Sequence, residues 1–348
     1  MKSKDNDRTN SPTKNVFSLT QNPAALDRVI PATAPASSYR NIHQGKATNA
    51  LARIDKTATP AQIDLYGNAT IIKDDFRLSI SDYTKIIGGI KPTAMLLHDT
   101  FVELTTETGQ PLVKITLADY MEKRGLKDVK ETRRQVKADM EALKRIKIGF
   151  RDTRRGKTHG DYLNVALAGG TEGIKNGVII FRFNQDFHDV LKSYPIMPYP
   201  QEIYRLNPRL NPNSFYFLRR ITEHKNMNID KPNENTISVK TLLESTPELP
   251  KYEEVMTSGK HVEQRIIKPF TRDMDVITSF RWHYCGTNGA QVEEPDNYAD
   301  FEKSLIHIDW VDYPDQTKRI AAKAKRAAAA RRKKSKDRDQ GDLFNGES

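Results

Sequence analysis

The stretch Thr116–Leu167, TLADYMEKRGLKDVKETRRQVKADMEALKRIKIGFRDTRRGKTHGDYLNVAL, decides how we interpret the fold. It predicts a short helix, a tight turn, a long basic helix, and then two strands joined by a basic loop that contains glycine. This is the order of a helix-turn-helix followed by a wing. Such an order places a cationic helix beside a cationic hairpin, which suits a DNA groove and the phosphates that flank it.

Local signals mark the ends of both helices. Thr116 can cap the first helix, with Asp119 three residues later, and Gly125 stands where a helix end favours a left-handed residue. Asp128 can cap the long helix, with Glu131 three residues on. The apolar stripe expected to face the core of the long helix consists of Val129, Thr132, Val136, Met140 and Leu143.

A basic face of the long helix lies clear of this stripe, at about 100° per residue. Its members are Lys130, Arg133, Arg134, Lys137, Lys144 and Arg145, and Glu141 interrupts it. The loop between the strands adds Arg151, Arg154, Arg155 and Lys157. We predict that these residues contact DNA. The alternative interpretation is an ordinary solvated helix face.

The net charge supports this prediction once the C-terminal tail is separated from it. The 348 residues carry a formal charge of +11, and Lys318–Arg338 alone holds 11 basic residues and one acid, a net +10. The rest of the chain is therefore nearly neutral. Within it, Leu117–Lys157 has 14 basic and 7 acidic residues, whereas Glu293–Asp315 has eight acids and one lysine. This polarity favours an oriented DNA face.

Composition excludes several classes of protein. The single Cys285 allows no intramolecular disulfide and no four-cysteine zinc site, and it fits a reducing cytoplasm. No apolar run reaches about 18 residues, so we expect no transmembrane helix and no membrane partner. The first residues lack the apolar core of a signal peptide. There is no GxxxxGK[ST] loop for ATP, and we expect no cofactor.

Catalysis is not expected either. A rolling-circle nicking enzyme needs two histidines one residue apart for a metal, together with a tyrosine nucleophile, and none of the eight histidines has that spacing. We therefore expect no metal site. Tyr194, Tyr199 and Tyr204 cluster in the sequence, and we interpret them as packing residues. A nickase that uses a tyrosine with acids remains an alternative.

The rest of the chain suggests a second copy of the same pattern. We expect a disordered region at 1–68, winged-helix domains at 69–195 and 196–315, and a basic tail at 316–348. The first domain adds a strand near Ala69–Ile80, a helix Pro92–Glu107, strands Gln110–Ile115 and Val178–Phe183, a helix Gln185–Lys192, and turn glycines at Gly169, Gly170 and Gly173. A proline-marked connector, Tyr194–Pro200, follows. The predicted class is α+β.

In the second domain we expect helices Asn213–Lys225, Ser238–Glu244 and Lys260–Asp275, and strands Ile237–Val239, Ser279–Cys285 and Leu305–Trp310. Pro269 should kink the long helix or mark a late start. The candidate DNA contacts here are His261, Arg265, Lys268, Arg272, Arg281 and His283. This face is less basic than the first. The alternative is a protein-contact or dimerisation domain.

Over roughly residues 70–315 the chain resembles plasmid replication initiator proteins built from two tandem winged-helix domains. The resemblance rests on TLADYMEKRG, ETRRQVKADMEALKRI, NSFYFLRR, ISVKTLLES and EQRIIKPFTRDMDVI. It implies binding to origin repeats in double-stranded DNA, opening of the duplex nearby, and recruitment of host replication proteins. In such initiators the second domain is often the main base reader and the first can form a homodimer. Here the charge favours the first domain on DNA.

The C-terminal residues Gln340-Gly341-Asp342-Leu343-Phe344 are similar to the bacterial sliding-clamp-binding pentapeptide. Leu343 and Phe344 would enter an apolar pocket while Gln340 bonds its rim; Asp342 takes the place of a small or acidic residue, and Gly341 departs from the usual Leu. The basic tail before it would attract phosphates without sequence preference, or would only improve solubility.

Three functions follow from these patterns. The leading one is a cytoplasmic replication initiator of a plasmid or similar mobile element. A winged-helix transcriptional regulator has the same DNA chemistry without a replication partner. A strand-nicking replication enzyme is the third.

Overall fold

The described part of the chain combines helices with small antiparallel sheets, which confirms the predicted α+β class. The structure is a computed structural model that describes residues 38–49, 62–63, 69–73, 76–81, 91–151, 162–258 and 261–316. Its buried apolar side chains form one cluster that extends through both halves of this region, from Ile42 to Ile308. None of the helices described has the length and apolar character needed to cross a membrane.

A strand before the first predicted domain corrects the expected disorder of residues 1–68. Strand β1 (Tyr39–His43) is followed by a short helix α1 (Lys46–Asn49). β1 pairs antiparallel with Ile196–Pro200, so this part of the expected connector is also a strand. Neither segment shows a clear hydrophobic periodicity. Each is extended because it pairs with a partner far along the chain, and local sequence does not report such pairing.

The first helix–sheet unit comprises the described residues from 62 to 193. Its elements, in chain order, are β2 (Gln62–Ile63), β3 (Ala69–Lys73), β4 (Phe76–Ile80), α2 (Pro92–Thr108), β5 (Leu112–Thr116), α3 (Leu117–Arg124), α4 (Val129–Lys144), β6 (Ile146–Arg151), β7 (Tyr162–Ala166), β8 (Ala168–Lys175), β9 (Val178–Phe183) and α5 (Gln185–Ser193). The single strand expected near Ala69–Ile80 is a pair of strands. The other predicted helices and strands of this unit are present.

Two antiparallel sheets divide these strands, and they correct the predicted wing. β6 and β7 pair as expected, but they belong to a five-stranded sheet of order β2-β3-β4-β6-β7. The strand that leads into α3 is β5, and it pairs with β9 in a separate sheet of order β5-β9-β8. The hairpin that shares a sheet with the helix-turn-helix entry strand is therefore β8–β9.

The glycines predicted to form turns lie inside β8. Gly169, Gly170 and Gly173 belong to this strand, and its pairing with β9 shifts register between Ala168 and Glu172. Gly170 has a φ of 80°, a left-handed value that glycine adopts without strain. A strand irregularity that needs glycine therefore produced the same sequence signal as a turn.

The second helix–sheet unit comprises residues 213–310. β10 (Ile196–Pro200) and a 3-10 turn at Gln201–Tyr204 lead into it. Its elements are α6 (Ser214–Met227), β11 (Thr236–Ser238), α7 (Val239–Glu244), α8 (Tyr252–Thr257), α9 (Lys268–Asp275), β12 (Phe280–Cys285), α10 (Tyr298–Lys303) and β13 (Leu305–Trp310). Its sheet has the order β11-β13-β12. In each unit, the strand that follows the first helix (β5 or β11) pairs with the last strand of that unit (β9 or β13).

The long helix expected over Lys260–Asp275 is a helical run from Val262 to Asp275 that contains a π-helical segment. Glu263–Ile267 form a π-helical turn, and α9 begins at Lys268 with Pro269 in its first turn. Helical backbone already begins at Val262, so Pro269 lies where the π-helical turn changes to α-helix. The expected late start is therefore not observed, and the effect of Pro269 is an interruption within the helical run. Ile266, Phe270 and Met274 are buried, as their spacing predicts.

A buried polar cluster joins the two units. Arg219 of α6 forms an ion pair with Asp99 of α2, and it also donates to the Thr48 carbonyl at 2.7 Å. Tyr199 of β10 donates to the same carboxylate. Burial acts to raise the pKa of Asp99, but the charge of Arg219 and the hydrogen bonds outweigh burial and lower it. Because removing one partner of a buried ion pair leaves an uncompensated charge, this cluster opposes separation of the two units.

Candidate nucleic-acid interface

The helix-turn-helix predicted from the sequence is present, with its caps. The Thr116 hydroxyl accepts from the Asp119 N–H at 3.0 Å, and Gly125 ends α3 with a φ of 65°. The Asp128 carboxylate accepts from the Glu131 N–H at 2.9 Å at the start of α4. These bonds satisfy backbone groups that a helix end otherwise leaves open. The turn and the beginning of α4 are therefore fixed by residues that the sequence identifies.

The inner face of α4 is buried, with one exception. Thr132, Val136, Met140 and Leu143 are buried, as their spacing predicts. Val129, the first member of the stripe, is 54% exposed, so its assignment to the core was wrong. Periodicity gives the direction of a side chain but not how far the neighbouring elements extend. Val129 lies at the first residue of the helix, before the buried part begins.

The outer face of α4 carries open cations. Lys130, Arg133 and Lys137 are exposed, and none of them forms an ion pair or hydrogen bond through its side chain with a residue that the structure describes. Arg133 and Lys137 are one turn apart, and Lys130 lies beside them. Three solvated positive charges on one helix face form a surface suited to phosphates and to the acceptor edges of bases.

The other predicted cations of α4 are partly neutralised within the protein. Arg134 donates twice to Glu131, at 2.9 and 2.7 Å, and these bonds lower the pKa of that carboxyl. Lys144 lies 3.3 Å from Glu141 and 3.1 Å from Glu172. Arg145 is half-buried. The predicted basic face therefore reduces to its first two turns and the middle of the helix.

The predicted wing contacts cannot be placed in the same way. Arg154, Arg155 and Lys157 fall outside the described residues, and Arg151 is the last residue of β6. The hairpin that pairs with β5 turns instead at Asn176 and Gly177, which have φ values of 51° and 76°. Two positive φ values are typical of a type I′ hairpin turn. Lys175, exposed before this turn, is a candidate contact that sequence reasoning missed.

The signal for this second hairpin was in the sequence. Asn176-Gly177 directly precedes the alternating strand Val178–Phe183, and Asn-Gly before such a strand favours a two-residue hairpin. The loop between β6 and β7 is more basic, and charge alone favoured that hairpin as the wing. The turn residues Asn176-Gly177 favour the β8–β9 hairpin instead.

The candidate face of the second unit is more neutral. His261, Arg265, Lys268, Arg272 and Arg281 are all exposed, as expected. Lys268, however, lies 2.9 Å from Glu263, and the Arg272 Nε donates to Asp273 at 2.7 Å. The candidate contact His283 lies 3.6 Å from Asp309. Of the lysines and arginines in this set, only Arg265 and Arg281 lack a side-chain partner among the described residues.

A buried carboxylate lies behind the open face of α4. Asp139 accepts from the Thr93 hydroxyl at 3.0 Å and from the Gln135 amide at 2.8 Å. Burial raises its pKa to about 6, although these hydrogen bonds and the charge of Arg124 act in the opposite direction. Asp139 therefore titrates in the interior at mildly acidic pH, and it is ionised at neutral pH.

The clustered tyrosines are packing residues, as predicted. Tyr199 and Tyr204 are almost fully buried, and burial raises the pKa of both hydroxyls well above the ordinary value. Tyr204 donates to Glu103, which also pairs with Lys123 at 2.7 Å. Tyr194 packs against the core from its edge. The predicted clamp peptide, with Gln340, Asp342, Leu343 and Phe344, lies outside the described residues.

Comparison with known proteins gives no family. No protein-family model and no curated sequence matches the chain. A crystal structure of selenomethionine derivatives of domain 2 and domain 3 of RctB aligns with a TM-score of 0.42 and 11% identity, over 77% of this chain and 99% of that chain. A second, of RctB domains 2-3, gives 0.35 and 10%, over 82% and 96%. At these scores the likeness carries no functional argument.

Proposed function

We propose that this protein binds double-stranded DNA in a sequence-specific manner and initiates replication of a plasmid or similar mobile element. The observation that carries the DNA-binding part is the open cationic face of α4. Lys130, Arg133 and Lys137 are exposed and unpaired among the described residues, on the second helix of a capped helix-turn-helix. That helix enters the major groove in proteins with this motif.

We also propose that each unit is a winged helix. In both, the order is helix, strand, helix and a further helix, with the strand paired to the second strand of a later antiparallel pair. The sheet orders β5-β9-β8 and β11-β13-β12 support this interpretation. Two such units on one chain would contact two segments of a duplex, with α4 as the stronger contributor.

The replication part of the proposal rests on different support. The resemblance of the sequence to plasmid initiators and the clamp-like peptide Gln340–Phe344 both favour an initiator over a transcriptional regulator. The open face of α4 serves both functions equally, because regulator and initiator read DNA with the same chemistry.

DNA binding is tested first, with the intact chain and a pool of random-sequence duplexes. We expect selection of one sequence class, and affinity that falls steeply with salt. Lys137→Ala should weaken binding, whereas Lys192→Ala, an exposed lysine on α5, should not. Binding that ignores sequence, or equal loss in both variants, would contradict a reading role for α4.

Footprinting on the DNA that flanks the gene separates the two functions. Protected tandem repeats beside an AT-rich tract support initiation, and a single protected palindrome over a promoter supports regulation. Loss of plasmid maintenance on deletion of the gene would support initiation independently. A strand-cleavage assay with Mg²⁺ on supercoiled DNA tests for a nickase.

We further propose that the C-terminal peptide recruits the bacterial sliding clamp. The probe is a peptide ending in QGDLFNGES, titrated against purified clamp. We expect binding that is lost when Leu343 and Phe344 are changed to Ala, because these side chains would fill the apolar pocket. The control is Asn345→Ala, which should bind as the unchanged peptide does. Equal binding by all three peptides would refute the proposal.

A further inference from the structure

One apolar side chain stands at the leading end of the α4 cationic face. Val129 is the first residue of α4 and is 54% exposed, although its spacing matches the core stripe. Leu126, in the turn just before it, is 38% exposed. Single exposed apolar residues are common on protein surfaces. The position of Val129 relative to the cations is what distinguishes it.

Val129, Arg133 and Lys137 form one row along the helix. Residues four apart lie about 40° from each other around the axis and about 6 Å along it, so their side chains are neighbours. The second and third members of this row are cations with no side-chain partner among the described residues. The row therefore begins with an apolar contact and continues with two positive charges.

DNA offers one partner that fits this arrangement. The only apolar group that the bases present in the major groove is the C5-methyl group of thymine. Residues at the N-terminal end of a recognition helix contact base edges. The neighbouring cations would hold this end of α4 close to the polyanion. A protein partner would instead be expected to meet a wider apolar surface without a row of open cations.

We propose that Val129 contacts the methyl group of one thymine in the bound site, and so makes the protein discriminate thymine at that position. The inference rests on the proposed DNA-binding function and names one base that the protein would recognise. A valine methyl against a thymine methyl removes apolar surface of both from water, without any hydrogen bond to satisfy.

The test compares thymine with deoxyuridine, which differs only by the missing methyl group. The intact chain selects a duplex from a random pool, and each thymine in that duplex is replaced in turn by deoxyuridine. At one position we expect wild-type affinity to fall about fourfold, the worth of one methyl-sized group. The Val129→Ala variant should bind the thymine and deoxyuridine duplexes equally at that position.

A matched control is Val311→Ala, a valine of similar exposure (43%) at the end of the second unit's sheet. It should keep the wild-type preference for thymine. Thermal unfolding of both variants checks that each folds, and Val129→Ala is not expected to unfold the protein because the side chain is exposed.

The outcomes distinguish failure of the thymine contact from failure of the proposed DNA binding. If the wild type binds its duplex but tolerates deoxyuridine everywhere, or if Val129→Ala keeps the preference, the thymine contact is refuted and DNA binding stands. If the chain selects no duplex at all, the proposed function fails and the inference fails with it.

Discussion

The two candidate reading helices, α4 and α9, carry basic residues at a similar density, five in 16 residues and two in eight, but they present different surfaces. On α4, Lys130, Arg133 and Lys137 have no side-chain partner among the described residues. On α9, Lys268 and Arg272 lie against Glu263 and Asp273. A cation that already has an acid beside it must give up that contact before it binds a phosphate. Pairing within the protein, more than the density of basic residues, separates the two helices.

The buried aspartates of the two helices differ in whether their hydrogen-bond partners include a cation. Among the described residues Asp139 of α4 accepts from the neutral groups of Thr93 and Gln135 alone, and burial raises its pKa to about 6. Asp273 of α9 accepts from Arg272 and twice from Asn213. One carboxylate is therefore a cost to the folded state at neutral pH, and the other holds a helix to the chain that precedes α6.

The largest expected effect is on DNA binding by α4. The triple variant Lys130→Ala, Arg133→Ala, Lys137→Ala should lose affinity by at least about 100-fold, since each contact is worth roughly 1–3 kcal/mol. The slope of log affinity against log salt should flatten by about 2.7 if all three meet phosphates. Fluorescence anisotropy over a salt series measures both.

The matched variant on the second unit is Arg265→Ala, Lys268→Ala, Arg272→Ala. Its loss should be smaller, because two of these cations are already paired within the protein. A larger loss than for the α4 variant would reverse the comparison and make α9 the main reader.

Asp139→Asn should stabilise the protein at neutral pH. The folded-state pKa of about 6 lies above the ordinary 3.8, so the contribution of Asp139 is fully present below about pH 4 and is lost as pH rises through about 6. A neutral amide avoids that loss, which reaches roughly 3 kcal/mol above pH 7 at about 1.4 kcal/mol per pKa unit. Urea unfolding at pH 4.5 and pH 8 measures the gain.

The exposed loop residue Asp296 supplies the control. Asp296→Asn should change the free energy of unfolding little at either pH. A gain for Asp139→Asn that is equal at both pH values would contradict the assigned titration.

Asp273→Asn should have the opposite sign. The amide cannot accept from Arg272 and Asn213 on both sides, so it leaves buried donors without an acceptor. We expect a loss of about 1–3 kcal/mol in the free energy of unfolding. Chemical denaturation at neutral pH measures it. A gain like that of Asp139→Asn would show that the two aspartates are alike and would remove the contrast.

The smallest effect is expected from Glu263→Gln. The change frees Lys268 from an exposed ion pair, which is worth at most about 1 kcal/mol. DNA affinity should rise about twofold, with a slightly steeper salt dependence, if α9 lies on the duplex. Unchanged binding would place α9 away from DNA and favour a protein-contact role for the second unit.

Sequence reasoning predicted most of the local structure, because the signals are local. Thr116, Gly125 and Asp128 mark helix ends through bonds to residues three positions away, and the spacing of Val136, Met140 and Leu143 fixes the buried side of α4. The interruption of the helical run just before α9 follows from the missing N–H of Pro269. The same local reasoning placed the basic residues of α4 on a face beside the buried stripe, but it did not show which of them are paired with acids.

Long-range pairing produced the errors. β1 and β10 are strands only because each supplies the other's hydrogen bonds across more than half of the described region. The loop with most charge was assigned as the wing, but only the sheet shows that β5 pairs with β9. Val129 was placed in the core because periodicity does not show where the neighbouring elements end.

The sequence by itself thus determined the helix-turn-helix, its caps, the repeated order of elements and the position of its positive charges, since each depends on residues close along the chain. Tertiary structure alone decided which hairpin accompanies that motif, which cations are already paired with acids, and that the first residue of the expected stripe is exposed. Within Thr116–Leu167 the sequence predicts both helices. Which cations of α4 are unpaired depends on where the protein's own acids lie, and only the tertiary structure shows that.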